Sequence, residues 1–152
     1  EGTRGLGSVQ FFVANDGDEH YFTVQADARY APTLRQLALF DYVINNADRK
    51  SGHCLIGHDR RLWAIDHGVC FNVQPKLRSV IWDYAGDPIP APLLADLRRL
   101  CDALSRRAPP HPLRELLSPR EYDALQQRVS RLVEKGRYPH PDSGRYYPWP
   151  PV

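Results

Sequence analysis

Prolines set the outline of this chain. There are 14 in 152 residues, and most fall in three clusters at 88–92, 109–112 and 139–151. A proline ring removes a backbone donor and clashes with the preceding turn, so these clusters mark connectors and a tail, and helices are confined between them. Leu34, Leu37, Phe40 and Ile44 recur at helical spacing, which predicts a helix from 34 to about 45, with Thr33 and Gln36 as a capping box behind Pro32. Leu93, Leu94, Leu97, Leu100, Cys101 and Leu104 mark a second helix through about Arg106. A third starts at Ser118-Pro119-Arg120-Glu121, which combines an N-cap serine, a first-turn proline and a glutamate three residues on. It buries Tyr122, Leu125, Val129, Leu132 and Val133 and stops at Gly136.

The β signals are shorter. Ser8–Val13 reads as a strand closed by the turn Asn15–Asp18, and Tyr21–Val24 as a weaker strand or an extended connector. His53–Ile56 and Leu62–Ile65, around Gly57-His58-Asp59-Arg60-Arg61, form a hairpin signal with a five-residue loop. Val69–Asp87 lacks periodicity and reads as a long functional loop with room for one short helix. Residues 137–152 read as a Pro- and aromatic-rich tail laid over the surface. The expected fold class is α+β, mostly helical, in one domain.

Composition narrows the function classes. Hydrophobic residues at 42% and charged residues at 25% are ordinary globular values, which excludes collagen-like, fully disordered and membrane-spanning chains. A formal net charge of +2 implies neither a nucleic-acid nor a membrane partner. Three cysteines without a secretory signal point to reduced thiols in the cytoplasm. The chain has no Met and starts at Glu1, so the expectation is a C-terminal piece of a longer protein.

The candidate chemistry lies in two carboxylates. Asp48 follows the first helix in the polar stretch Asn45–Gly52, and Asp66 leaves the second hairpin strand. A tight hairpin brings its start and finish together, so both side chains can face one cleft. Phosphoryl transfer needs such a pair, one carboxylate to orient the attacking hydroxyl and one to hold Mg²⁺. The spacing agrees with kinases: His53 stands five positions after Asp48, and Asp66-His67-Gly68 occupies the D-x-G place. Lys50 falls where many Ser/Thr kinases keep a lysine directed at the transferred phosphate.

These motifs make a family resemblance specific. Phe40-Asp41, Asn45-Asn46-Ala47-Asp48-Arg49-Lys50-Ser51-Gly52-His53 and Ile65-Asp66-His67-Gly68-Val69 resemble the D-R-H-x-x-N and I-D-F-G pair of phosphatidylinositol 3- and 4-kinases. The first stretch is also similar to the N-x-D-R-H-x-x-N loop of HipA-type bacterial protein kinases. The closest resemblance is to uncharacterised bacterial phosphatidylinositol 3-/4-kinase-like proteins, whose N-N-A-D-R-K-x-G-H, D-H-G-V-x-F and K-L-R-x-V-x-W stretches fall on 45–53, 66–71 and 76–82. It extends to Pro148-Trp149-Pro150-Pro151.

The resemblance implies a protein-kinase-like C-terminal lobe built around a catalytic-loop hairpin. It divides into a hinge strand and connector at 1–32, the lobe at 33–136 and the tail at 137–152. It further implies an ATP-dependent phosphotransferase acting on an alcohol group, with ATP and Mg²⁺ (or Mn²⁺) as cofactors. The acceptor, whether protein, lipid or small molecule, stays open. Asp48 and Lys50 would be catalytic, and Asp66 and His53 would hold metal. Gln10, Phe11 and Phe12 would meet the adenine, and Lys76 and Arg78 the substrate.

Lys50 replaces the His of D-R-H, and His53 replaces the metal-binding Asn, an imidazole better suited to Mn²⁺ than to Mg²⁺. No Gly-rich loop or V-A-I-K-like strand is present, and Gly2–Gly7 has its glycines in the wrong order. The alternative expectation is therefore a catalytically inactive binding or regulatory module. A zinc cluster of His53, Cys54, His58, His67 and Cys70 matches no standard finger spacing. Phe71, Trp63 and Trp82 are expected in the core.

Overall fold

A computed structural model describes Gly5, residues 10–106 and residues 111–152. Its elements run α1 (Tyr21–Val24), α2 (Ala31–Ile44), a 3-10 turn (Ser51–His53), β1 (Cys54–Ile56), β2 (Leu62–Ala64), α3 (Ala91–Ser105), α4 (Leu113–Leu116) and α5 (Pro119–Lys135). The architecture is α+β and mostly helical, as expected.

Helix α5 is the spine, with α2, α3 and α4 packed against it. Its apolar positions Tyr122, Leu125, Val129 and Leu132 are buried with Leu97 and Leu104 of α3 and Leu34, Leu37 and Ile44 of α2. Tyr122 lends a polar tip to this contact by donating from its hydroxyl to the Leu104 carbonyl at 2.8 Å, which satisfies an orphan acceptor at the end of α3. The α5 capping box forms as expected, with Ser118 Oγ accepting from the Glu121 amide and Glu121 accepting from the Ser118 amide at 2.9 Å. Gly136 ends the helix in the left-handed region.

β1 and β2 pair antiparallel in the register Cys54–Ala64, Leu55–Trp63 and Ile56–Leu62. This two-stranded hairpin marginally supports itself. Its inward residues Cys54 and Ile56 are therefore driven into the helical core, where both are buried.

Several expectations are corrected. Ser8 and Val9 lie outside the described residues, and Gln10–Val13 form no strand. Among the described residues the backbone bridge to the hairpin is at Asn15–Gly57, beyond Val13, and Gln10–Val13 make no ladder of their own. Tyr21–Val24 is a helical turn. Its two buried side chains, Tyr21 and Val24, are three apart, which one face of a helix satisfies and strand alternation does not. Helix α2 starts at Ala31, upstream of Thr33, because Pro32 fits the first turn and leaves Thr33 inside it.

Residues 69–87 contain no helix, and α4 forms in the break after Pro112. The 137–152 tail is partly interior: Tyr138 and Pro148 are buried. The Pro151 carbonyl accepts from the Ser51 amide at 2.8 Å, and the Tyr146 carbonyl from the Ser79 amide at 3.1 Å. Trp63 and Trp82 are half-buried rather than core, and half-buried Phe71 packs against the core.

Burial gives the fold a pH dependence. It pushes the Cys54 thiol up to about 12, the Cys70 thiol up to about 11 and the Tyr138 phenol up to about 12. Burial also raises the phenols of Tyr21 and Tyr42. Folded values above unfolded ones mean that the stabilisation is complete below the ordinary thiol and phenol values of 9.0 and 10.0 and is lost as pH rises through the folded values. Arg128, lowered to about 10 first by burial, opposes this as a single group. Urea midpoints should be level up to about pH 8.5 and fall progressively above it. A level or rising profile to about pH 11.5 would contradict the buried, protonated state of these groups.

Candidate functional site

Helix α2 ends on Asn45, in the left-handed region at φ 53°. Its side chain then does the work of a strand partner. Asn45 Nδ2 donates to the carbonyls of Asn72 (2.9 Å) and Gln74 (2.8 Å), and Oδ1 accepts from the Lys76 amide at 3.0 Å. Asn46 is equally occupied: Nδ2 donates to Asp41 Oδ1 and Oδ1 accepts from the Asp48 amide, both at 3.0 Å. The two asparagines thereby fix the backbone immediately before Asp48.

Arg49 is the hub. It is fully buried and paired with buried Asp41, through Nε to Oδ2 at 2.9 Å and Nη2 to Oδ1 at 3.0 Å. Nη1 donates to the carbonyls of Ile65 (2.8 Å) and His53 (3.3 Å), and Nη2 lies 2.8 Å from His67 Nε2. One guanidinium therefore joins the last turn of α2, the entry to the hairpin and its exit. Burial opposes its charge, and the hydrogen bonds and charge of Asp41 more than offset this, so its pKa is raised. Burial and then the Arg49 charge lower the pKa of His67, so its neutral ring accepts from Arg49 at Nε2. Backbone bonds from Arg49 N to Arg78 O (2.9 Å) and from Val80 N to Arg49 O (3.1 Å) lay the 78–80 segment beside the same loop.

The side chains flanking this hub are those picked out by spacing. Lys50 Nζ lies 3.6 Å from Asp48 Oδ2, with both side chains partly exposed. His53 Nε2 lies 3.5 Å from Asp66 Oδ2, with the histidine side chain 15% and the aspartate 58% exposed. The His53 ring also turns Nδ1 toward the Lys50 amide at 3.5 Å, so the two pairs are neighbours. Asp66 is held at φ 54° directly after Ile65, whose carbonyl Arg49 anchors.

Lys76 is exposed and Arg78 half-buried, with Arg78 Nε buried and unpartnered among the described residues. Gln10, Phe11 and Phe12 are all exposed. Phe11 stacks on Trp63 of β2 with centroids 5.8 Å apart. Phe11, Phe12, Gly57 and Trp63 border a cavity of about 220 Å³.

The alternative His/Cys grouping does not assemble among the described residues. His58 turns to Asp16 at 2.9 Å, His67 turns to Arg49, and Cys54 is buried. The Asp41–Arg49 pair was not anticipated as a site element. Its signal was an acidic residue at 41, in register with Leu37 and Ile44 on the buried face of α2, where an acid requires a partner.

A mostly helical α+β lobe whose hairpin is bracketed by two aspartate-bearing loops is kinase-like. The model of the phosphatidylinositol 3- and 4-kinase family matches residues 3–126. The Mycobacterium tuberculosis protein Rv2133c is 41% identical over 138 residues, covering 88% of this chain and 46% of that protein. No solved structure matches. The chain belongs to the phosphatidylinositol 3- and 4-kinase family, a family of kinase-like phosphotransferases, and spans about half the length of the curated relative it matches. Among the described residues no helix is long and apolar enough to cross a membrane.

Proposed function

We propose that this lobe carries out ATP-dependent phosphoryl transfer to an alcohol hydroxyl, with Asp48 orienting the acceptor hydroxyl and Asp66 as principal ligand of the nucleotide's divalent ion. The observation that carries this reading is the His53–Asp66 approach at 3.5 Å beside the Asp48–Lys50 pair, on backbone that buried Arg49 ties at the His53 and Ile65 carbonyls. One carboxylate and one imidazole fit a cation whose remaining ligands are phosphate oxygens and water, and the imidazole favours Mn²⁺ over Mg²⁺. When bound, such an ion neutralises charge on the transferring phosphate.

The chain's own residues supply the rest. Asp48 accepts the hydroxyl proton. Lys50, on a flexible stem beside Asp48, turns to the γ-phosphate. Phe11, Phe12 and Trp63 offer the apolar cavity on the adenine side, with Gln10 at the end of that segment. Lys76 and Arg78, on the segment fastened by the two asparagines, hold the anionic part of the acceptor.

His53 in the place of an asparagine favours a second reading, a lobe that binds nucleotide without transferring phosphate. Calorimetric titration with ATP and Mn²⁺ or Mg²⁺ tests the metal assignment. Binding should be lost with EDTA and weakened about tenfold or more by Asp66→Ala. Equal affinity in wild type and variant would remove Asp66 from the metal site, and binding without ADP formation would select the second reading.

A further inference from the structure

A second cavity, of about 260 Å³, lies between the C-terminal half of α5, the end of α2 and the 75–82 segment. From α5 it receives Arg128, Arg131 and Lys135, spaced to share one helix face. None of the three pairs with a carboxylate among the described residues, whereas Arg29, Arg35, Arg49, Arg60, Arg61 and Arg99 all do. Arg128 is the deepest. Its Nε donates to the Val43 carbonyl at 3.1 Å and its Nη1 to the Asn72 carbonyl at 3.2 Å, while Nη2 is buried with no partner among the described residues. A buried guanidinium donor without an acceptor is costly, and it marks where an anionic oxygen would be welcome. Burial and then the charge of Arg131 bring the Arg128 pKa down to about 10, which an anion would reverse. Asp142 is the one carboxylate in the lining, facing three cations, with His140 beside it.

The remaining wall is apolar and stiff. Trp82 is fixed edge-on between Tyr42 and Tyr146, with centroids 5.8 Å apart in both contacts, and its Nε1 donates to the Tyr146 carbonyl at 3.3 Å. Leu132 and Pro139 complete that side. The volume falls just below the roughly 300–1,000 Å³ of drug-sized pockets, which suits one ring and one phosphate better than a whole nucleoside triphosphate.

We propose that this cavity is a separate anion site for a small phosphate monoester carrying a flat apolar ring, the phosphate held by Arg128, Arg131 and Lys135 and the ring laid against Trp82 and Tyr42. The assignment is independent of the phosphotransfer reading. Phenyl phosphate, inorganic phosphate and phenol are the probes, titrated into the full chain by calorimetry and followed by tryptophan fluorescence.

Phenyl phosphate should saturate and bind about tenfold or more tighter than either fragment. The double variant Arg131→Gln/Lys135→Gln, both exposed, should weaken it about tenfold or more with an unchanged thermal midpoint. Asp66→Ala should leave it unaltered. Unsaturable binding by wild type, equal affinity in the double variant, or inorganic phosphate or phenol binding as tightly would each overturn the proposal. Loss of phenyl phosphate binding in Asp66→Ala would place the ligand in the kinase-like site and overturn it equally.

Discussion

Arg49→Ala is expected to lower the unfolding free energy by about 3–5 kcal/mol, read from urea denaturation. The guanidinium is fully buried and its partner Asp41 is 1% exposed, so truncation strands a carboxylate away from water. It also takes the 2.8 Å donor from the Ile65 carbonyl and leaves the His53 carbonyl with the Ile65 amide alone. Domains are stable by about 5–15 kcal/mol in total, so this one change removes about a fifth of the margin or more. The penalty comes from the abandoned charge more than from the value of the pair. Asp41→Leu/Arg49→Met should therefore be more stable than either single variant, although the loop is no longer tied to the hairpin. A loss below about 1 kcal/mol in Arg49→Ala would mean that water reaches Asp41 and that the hub is not closed.

Asp48→Ala should reduce the rate of phosphate transfer by about 10²–10⁴ while leaving nucleotide affinity nearly unchanged. The backbone on both sides is held independently of this side chain, by Asn46 Oδ1 on the Asp48 amide and by the Arg49 anchor. The variant should therefore fold as wild type, and the loss can be assigned to chemistry. ADP formation at saturating ATP with Mn²⁺ measures it, and Asp48→Asn, which keeps shape and removes charge, should behave like the alanine variant. Undiminished turnover in both would discard Asp48 as the hydroxyl-orienting group.

The sequence and the structure part company where tertiary contact outweighs local pattern. Helices α3 and α5 could be read from spacing because their buried positions repeat at helical intervals and because Ser118 and Glu121 satisfy each other locally. The hairpin could be read because its apolar runs flank a polar turn. Tyr21–Val24 could not, since aromatic and β-branched residues suit strands by propensity, whereas the joint burial of Tyr21 and Val24 and the Thr23 hydroxyl on the His20 amide favour a helical turn. The tail could not either, because Tyr138 and Pro148 are buried by segments far away in the chain.

The site divides in the same way. Asp48, Lys50, His53 and Asp66 stood out by number and type. Asp41 and Arg49 stood in the same motif without an assigned role, and the fold shows them as a buried ion pair that shields both charges from desolvation. The sequence also gave no sign that Arg128, Arg131 and Lys135 face an apolar wall, because Trp82 arrives from a segment without periodicity.

The central claim is that Asp66 and His53 border a single divalent ion next to Asp48. Electron spin echo spectroscopy of the protein with Mn²⁺ and ATP tests this directly. Wild type should show modulation from a directly bound imidazole nitrogen, His53→Gln should lose that modulation while retaining some bound ion, and Asp66→Ala should lose the bound ion. Mn²⁺ and ATP held at full affinity without nitrogen modulation in wild type, and unchanged in Asp66→Ala, would contradict the account.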